Sequence, residues 1–495
     1  MSDWENNIIN DTELTDKSFG DDGRHEVNSP KSWPALIIIG VLGLCTLILF
    51  SLRIVCATTN YRPARGLADS PFVGMQNFSR ILNGPQAASV LSTSVLAAIV
   101  SAALSLLFGL LGALAGKLSR ITRAAAAGLG MVLAFIPAYV WSSIFKVSPI
   151  DSSVLPLLFI WAIPRIGLSV TVGALTVRMT KSVMRAGLIM FFLSLTLGVA
   201  GFETTGISMR HLTFDSYIYR IAFQSGQYSM GAAVEVLRGL ISLFFFIPGA
   251  IILAAVMLRK LEAKPASPAK KRGSVKMGLI ALLSTLVVML ALGAILLNVG
   301  GASVLNNARV IRGMINSVSL SLIIILLGTG VYFVIFLLTG KLKNRSTLLF
   351  ILLLAVLMPL SAFSIVKFLS ARNFGLINTI FPEALAALSS PIIVLLMTAL
   401  VMHRPRSPLT CLQLGGGLAA LAAACAVFST GNLYLSTSGK MPLGYLLRTS
   451  LASIPAASGE QTVNAFVAIL GLAMLVSALP AAVGAMLTVS GVERE

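Results

Sequence analysis

The chain has 495 residues, of which 56% are hydrophobic and only 11% are charged, and its mean hydropathy is +0.91. About a quarter of the residues of a soluble protein are charged, so this composition excludes a soluble globular fold. The net charge of +19 does not indicate a nucleic-acid partner, because the Lys and Arg residues lie in short loops between apolar runs.

Apolar runs of about 20 residues recur along the chain and predict an all-α polytopic membrane protein. Residues 1–32 are polar and rich in Asp and Glu, which predicts a disordered cytoplasmic tail. The first apolar run is too long for the core of a signal peptide and is interpreted as an anchor. About twelve transmembrane helices are predicted, at 33–55, 88–115, 124–145, 153–176, 186–204, 230–258, 277–299, 316–339, 348–368, 383–402, 409–428 and 461–489.

Basic loops set the predicted orientation. Eighteen Lys and Arg residues lie in the five short loops at 117–123, 178–185, 259–276, 341–345 and 403–406. Because such loops face the cytoplasm, and because the span number is even, both termini are predicted to be cytoplasmic.

Short sequence elements recur in the same order in the two halves of the chain. They are Ser94-Val95, Gly116-Lys117 and Ile136-Pro137 in the first half, and Ser317-Val318, Gly340-Lys341 and Met358-Pro359 in the second. Further on, Arg220 and Pro248 are echoed by Arg448 and Pro480. A doubled helical unit in a membrane usually places a pathway at the interface between the repeats.

The repeat divides the chain into two predicted tandem six-span units, 33–258 and 277–495. The segment between them, 259–276, holds seven Lys and Arg residues, together with Pro265 and Pro268. Proline ends a helix and the charges stay in water, so this segment is predicted to be a basic cytoplasmic linker.

Two external segments of the first half carry a family resemblance. Residues 72–78, Phe-Val-Gly-Met-Gln-Asn-Phe, follow the first span, and residues 217–223, Tyr-Ile-Tyr-Arg-Ile-Ala-Phe, precede the sixth. They resemble elements of one permease subunit of sugar-type ABC importers, the maltose permease class.

Three segments of the second half resemble the partner permease of the same class. These are Gly-Leu-Ile-Asn-Thr at 375–379, the region around Asn432, and Met-Pro-Leu-Gly at 441–444. The resemblance covers 33–495 and implies two different permease subunits fused in one chain, with pseudo-twofold symmetry about the membrane normal. It further implies a bacterial cytoplasmic (inner) membrane location, sugars or oligosaccharides as solutes, an extracytoplasmic solute-binding protein, and a separate ATPase subunit.

The chain departs from that class at the loops that hold the ATPase. In the class, the loop between the fourth and fifth spans carries a Glu-Ala-Ala signature on short docking helices. Here those loops are short, at 176–185 and 403–408, and Pro405 and Pro408 exclude a regular helix from the second. Glu383 opens a similar Glu-Ala string, but on the predicted outer side, where it matches an ordinary span opening. Both docking loops are therefore predicted to be missing, which puts the ATPase partner in doubt.

Arg165 is the clearest charged residue inside a predicted span, next to Pro164. A charge at mid-membrane usually faces protein or water, so Arg165 is interpreted either as a solute contact or as a buried structural residue. Glu235 and Arg238 lie three residues apart on one helix and can pair, while Lys367 is expected to snorkel.

Aromatic residues gather on the predicted outer half, where they favour either an interfacial belt or stacking against a sugar. Trp141 and Trp161 are the best candidates for solute contact. The candidate pathway residues are Arg165, Trp161, Trp141, Tyr139, Phe202, Glu203, Asn432 and Tyr434.

No catalytic constellation, metal-ligand spacing or Walker-type ATP loop occurs in the sequence, so an enzyme, a metal site and a resident cofactor are not expected. ATP could act only through a separate subunit. Three functions remain open: an ABC-type import permease, a degenerate permease that has become a scaffold or sensor without ATPase coupling, and a secondary transporter with six plus six spans.

Overall fold

A computed structural model describes most of the chain. The described residues are 33–62, 65–138, 140–141, 154–180, 182–200, 212–261, 274–340, 350–351, 353–354, 365–403, 405, 407–428, 434–435, 437–453 and 460–494. The predicted tail at 1–32 lies outside them. So does the middle of the predicted linker, into which flanking helices extend by three residues at each end.

The first half of the described chain consists of eight helices. They are α1 (Trp33–Thr58), α2 (Gln76–Leu82), α3 (Ala87–Leu118), α4 (Arg120–Phe135), α5 (Val154–Thr180), α6 (Val183–Leu197), α7 (Phe214–Ile218) and α8 (Tyr228–Leu261). A π-helical turn, Tyr219–Gln224, continues α7. Such turns are rare and recur at functional positions.

The second half continues with eight further helices. They are α9 (Ser274–Gly300), α10 (Ala308–Thr339), α11 (Ile365–Asn373), α12 (Phe381–Leu388), α13 (Pro391–Val401), α14 (Pro408–Val427), α15 (Leu443–Ser453) and α16 (Glu460–Arg494). Two short 3₁₀ turns, Ala302–Asn306 and Ser438–Lys440, lie in the loops.

The chain is an all-α polytopic membrane protein. Among the described residues, seven helices are long and apolar enough to cross a membrane, or eight if α12 and α13 form one bent span. Lipid supplies no partner for backbone groups, so helices satisfy these groups internally. The other predicted spans correspond to α1, to shorter helices such as α4 and α6, or fall mostly outside the described residues, as 348–368 does. The count of twelve stays a prediction.

The predicted span at 383–402 is broken rather than straight. Helices α12 and α13 meet at 47° across Ser389 and Ser390. Ser390 precedes Pro391 and adopts an extended backbone (φ −64°, ψ 146°), because a residue before proline is pushed out of the helical region. Glu383 is buried in the first turn of α12.

Small residues allow the helices to pack closely. Gly112 of α3 lies against the backbone of Val170 in α5, where a Cβ would collide with the carbonyl. Glycine at such positions lets membrane helices approach closely. The largest helix–helix packings are α9 with α16, α3 with α5, and α10 with α14.

Candidate functional site

The buried charges of the first half converge around α8. Arg53 of α1 pairs with Glu235 of α8, with 3.3 Å between Nε and Oε2, and Arg238 of α8 pairs with Asp215 of α7. All four side chains are at most 1% exposed. A buried charge is tolerated only when paired, so these residues hold α1, α7 and α8 together.

Glu235 also reaches the second half of the chain. Its Oε1 accepts a hydrogen bond from the backbone N–H of Ile365 in α11 at 2.6 Å. One carboxylate therefore binds an arginine of the first half and the backbone of the second. The sequence predicted that Glu235 and Arg238 can pair with each other; the structure gives each a partner on a different helix.

Arg165 is buried, with 4% of its surface exposed, and its guanidinium faces the end of α6. It donates to the carbonyl oxygen of Gly198 at 3.3 Å and to that of Ala200. Both carbonyls lie in the segment that directly follows α6, so Arg165 anchors the chain just beyond the end of that helix. Its predicted contact with solute stays a prediction.

The side chains of both tryptophan candidates are at least partly buried. Trp161 is buried one turn before Arg165 on α5. Trp141 is half-buried, and its indole N–H donates to the carbonyl of Ile136 at 3.1 Å. Four other predicted pathway residues lie outside the described residues: Tyr139, Phe202, Glu203 and Asn432.

Aromatic rings join the two halves beside Glu235. Phe368 of α11 meets Phe223 edge-on at 5.0 Å between ring centroids and stacks with Tyr228 at 6.1 Å. The ring centroid of Tyr434 lies 6.5 Å from that of Phe368. Its phenol is buried, and this burial, with Glu383 and Glu235 nearby, raises its pKa, so the hydroxyl stays protonated. We call Phe223, Tyr228, Phe368 and Tyr434 the aromatic cluster.

Lys367, which the sequence predicted to snorkel, donates from Nζ to the hydroxyl of Ser389 at 3.2 Å. Ser389 lies at the bend between α12 and α13. The side chain therefore ties α11 to that bend.

The repeated serines make matching contacts. Ser94 of α3 accepts a hydrogen bond from the backbone N–H of Phe214, the first residue of α7, at 2.9 Å. Ser317 of α10 accepts one from the N–H of Leu443, the first residue of α15, also at 2.9 Å. In each half, a serine on a long helix satisfies a free donor at the start of a short helix.

The two connections that the sequence places in the cytoplasm are as short as the sequence predicts. Only residues 181 and 182 separate α5 from α6, and residues 402–407 separate α13 from α14. Ser182 and Ser407 cap the following helices. Two residues cannot form a docking helix.

An ion pair links the two halves at the predicted cytoplasmic end. Arg123 Nη1 lies 2.5 Å from Glu493 Oε1, and the same guanidinium donates to the carbonyl of Gly116. This contact ties α4 to the last turns of α16.

Sequence reasoning missed Arg53, Asp215 and Ile365. Arg53 was recognisable as a charge inside an apolar run, but its partner lies 182 residues away. Ile365 acts through its backbone, which no side-chain pattern reveals. In the part of the chain that the structure describes, no group of three His, Cys, Asp or Glu residues could hold a metal ion.

Comparison of the chain with protein-family models, curated proteins and solved structures found no match.

Proposed function

We propose that the chain is the membrane permease of a binding-protein-dependent solute importer, built from two related six-span units around a shared pathway. The matching contacts of Ser94 and Ser317 carry this proposal. They are 223 positions apart and bond the first residue of the corresponding short helix in each unit. A chance similarity of short motifs would not reproduce a contact between helices that lie far apart in sequence.

The solute class rests on the resemblance to sugar-type permeases and on the outer aromatic residues. Aromatic faces stack against sugar rings, and the aromatic cluster lies where the halves meet. Sugars or oligosaccharides are therefore the solutes to test first.

A reconstituted system tests this function directly. The purified chain in proteoliposomes is given labelled mono-, di- and trisaccharides, and exchange against unlabelled sugar is measured. Saturable exchange of one sugar, absent from empty liposomes, is expected. Exchange of none of these sugars would rule out the sugar assignment.

The connection between α5 and α6 favours a second candidate, a permease-like protein without ATPase coupling that acts as a scaffold or sensor. A two-residue turn offers no helix for an ATPase to hold. Affinity capture of the chain from crosslinked native membranes separates the two candidates. A captured ATPase subunit supports the importer, whereas capture of other membrane proteins without an ATPase supports the scaffold.

A further inference from the structure

We propose that Glu235 is a proton-binding site that controls the contact between α8 and α11, and thereby couples the two halves of the chain to the proton gradient. The transport consequence rests on the proposed function; the binding of the proton and the movement of α11 do not.

The contact has a defined geometry. Ile365 donates its backbone N–H to Glu235 Oε1 at 2.6 Å. One turn earlier on α8, Gly231 leaves room for the Ile365 side chain, whose Cδ1 would lie only 2.6 Å from a Cβ at that position. One turn later on α11, Phe368 packs against Phe223 and Tyr228. The carboxylate is thus the polar centre of an otherwise apolar contact.

The charged and titratable groups that face Glu235 come from every side of the contact: Arg53 and Cys56 of α1, Asp215 of α7, Arg238 of α8, Lys367 of α11, and Tyr434. The other described basic side chains on helices that pack against α8 are exposed to solvent or lipid; they are Arg80, Arg185, Arg220 and Arg372. Glu235 binds both halves of the chain, through Arg53 in the first and the backbone of Ile365 in the second.

Protonation and docking are linked by thermodynamics. A backbone N–H donated to a carboxylate favours its charged form. When α11 moves away, the carboxyl stays enclosed between α1, α7 and α8, but it loses both that donor and the ammonium of Lys367, so it binds a proton more readily. Reciprocally, a proton on Glu235 weakens its hold on Arg53 and on Ile365, and so favours release of α11.

This linkage couples movement of the two halves to an energy source, which the short connection between α5 and α6 does not. The two-residue connection between α5 and α6 offers no helix through which an ATPase could move the membrane helices. A carboxyl buried between the halves lets a difference in proton activity across the membrane change their contact. Intramembrane carboxylates commonly serve as proton sites for this reason.

The experiment measures the distance between the halves in the solubilised full chain, without any solute. Nitroxide labels are attached at Ser225→Cys and Asn373→Cys, two exposed positions beside the contact, after the native cysteines are replaced by alanine. Between pH 8 and pH 5, the ratio of separated to docked molecules is expected to rise on the order of tenfold. An unchanged distance distribution would overturn the proposal.

Two substitutions locate the proton. Glu235→Gln imitates the protonated carboxyl, so its distribution should be separated at both pH values; Glu235→Asp, which can still titrate, should retain the pH response. Asp215→Asn should also retain it. If Glu235→Gln still responds to pH, or if only Asp215→Asn abolishes the response, Glu235 is not the site.

Infrared difference spectra of the unlabelled chain provide a measurement that does not depend on the variants folding. A protonated-carboxyl C=O band that appears at low pH and shifts in Glu235→Asp is expected, and its absence from the wild-type chain would count against the site. A pH response without sugar exchange would refute the proposed solutes alone; sugar exchange without a pH response would refute this proposal alone.

Discussion

The guanidinium of Arg448 lies over the ring of Tyr219, 4.8 Å from its centroid. Tyr219 precedes Arg220, the residue that the sequence repeat pairs with Arg448. The contact therefore joins two corresponding segments, the π-helical turn of the first half and α15 of the second. A cation over an aromatic face contributes about 0.5–1 kcal/mol or more once water is excluded.

A crosslink tests this contact between the halves. With cysteines at Tyr219 and Arg448, a short bifunctional thiol reagent should join residues 219 and 448, and protease cleavage in the 262–273 segment should leave the halves covalently linked. The matched control places cysteines at Tyr219 and Arg494, which lies at the far end of α16. Equal crosslinking of both pairs would contradict the arrangement.

Ser94→Ala and Ser317→Ala should destabilise the chain by similar amounts, about 1–3 kcal/mol each, because each leaves a buried backbone donor unsatisfied. Thermal unfolding in detergent measures the effect. Ser92→Ala is the control, since Ser92 is exposed and bonds only within its own helix. If only one of the two substitutions lowers the thermal stability, the two contacts are not equivalent.

Gly128→Val should separate the halves at the contact between α4 and α9. A Cβ at Gly128 would lie 2.5 Å from Ser284 Oγ and 2.9 Å from the carbonyl oxygen of Ala281. Overpacking of this kind costs about 1–3 kcal/mol. Gly330→Val is the control, because a Cβ there meets nothing within 4 Å. Comparable losses of thermal stability in both variants would contradict the close approach.

Arg123→Glu should destabilise the contact between α4 and α16, because it places two carboxylates together where an ion pair existed. The side chains of Arg123 and Glu493 are 12% and 4% exposed, and breaking a buried pair costs about 3–5 kcal/mol. Adding Glu493→Arg should restore part of that loss. A double-mutant cycle on unfolding free energies measures the coupling, and a coupling energy near zero would show that the pair is incidental.

The sequence predicted the helical class and most long helices because apolar length alone decides membrane insertion. Spans such as 88–115 and 316–339 match α3 and α10 to within a few residues at their C-terminal ends. The bend between α12 and α13 was missed, although Pro391 stood in the sequence. A proline that starts a second helix leaves no sign in hydropathy.

The site was predicted only in part. Arg165 was recognised by its position, but its bonds to Gly198 and Ala200 are long-range contacts with backbone. The role of Glu235 depends on Arg53 and Ile365, which come from two other helices. A local pattern can show that a charge is buried, yet it cannot show which distant group satisfies it.

The two-residue turn at 181–182 also has a mechanical consequence. A connection of only two residues keeps the end of α5 close to the start of α6, which limits how far the two helices can slide along each other. Helix α6 alone is 15 residues long, or about 22 Å at 1.5 Å per residue. A small tilt of the two helices at their connected ends therefore becomes a lateral displacement of several ångströms at the other end of α6. That end lies near Gly198, where Arg165 binds the chain.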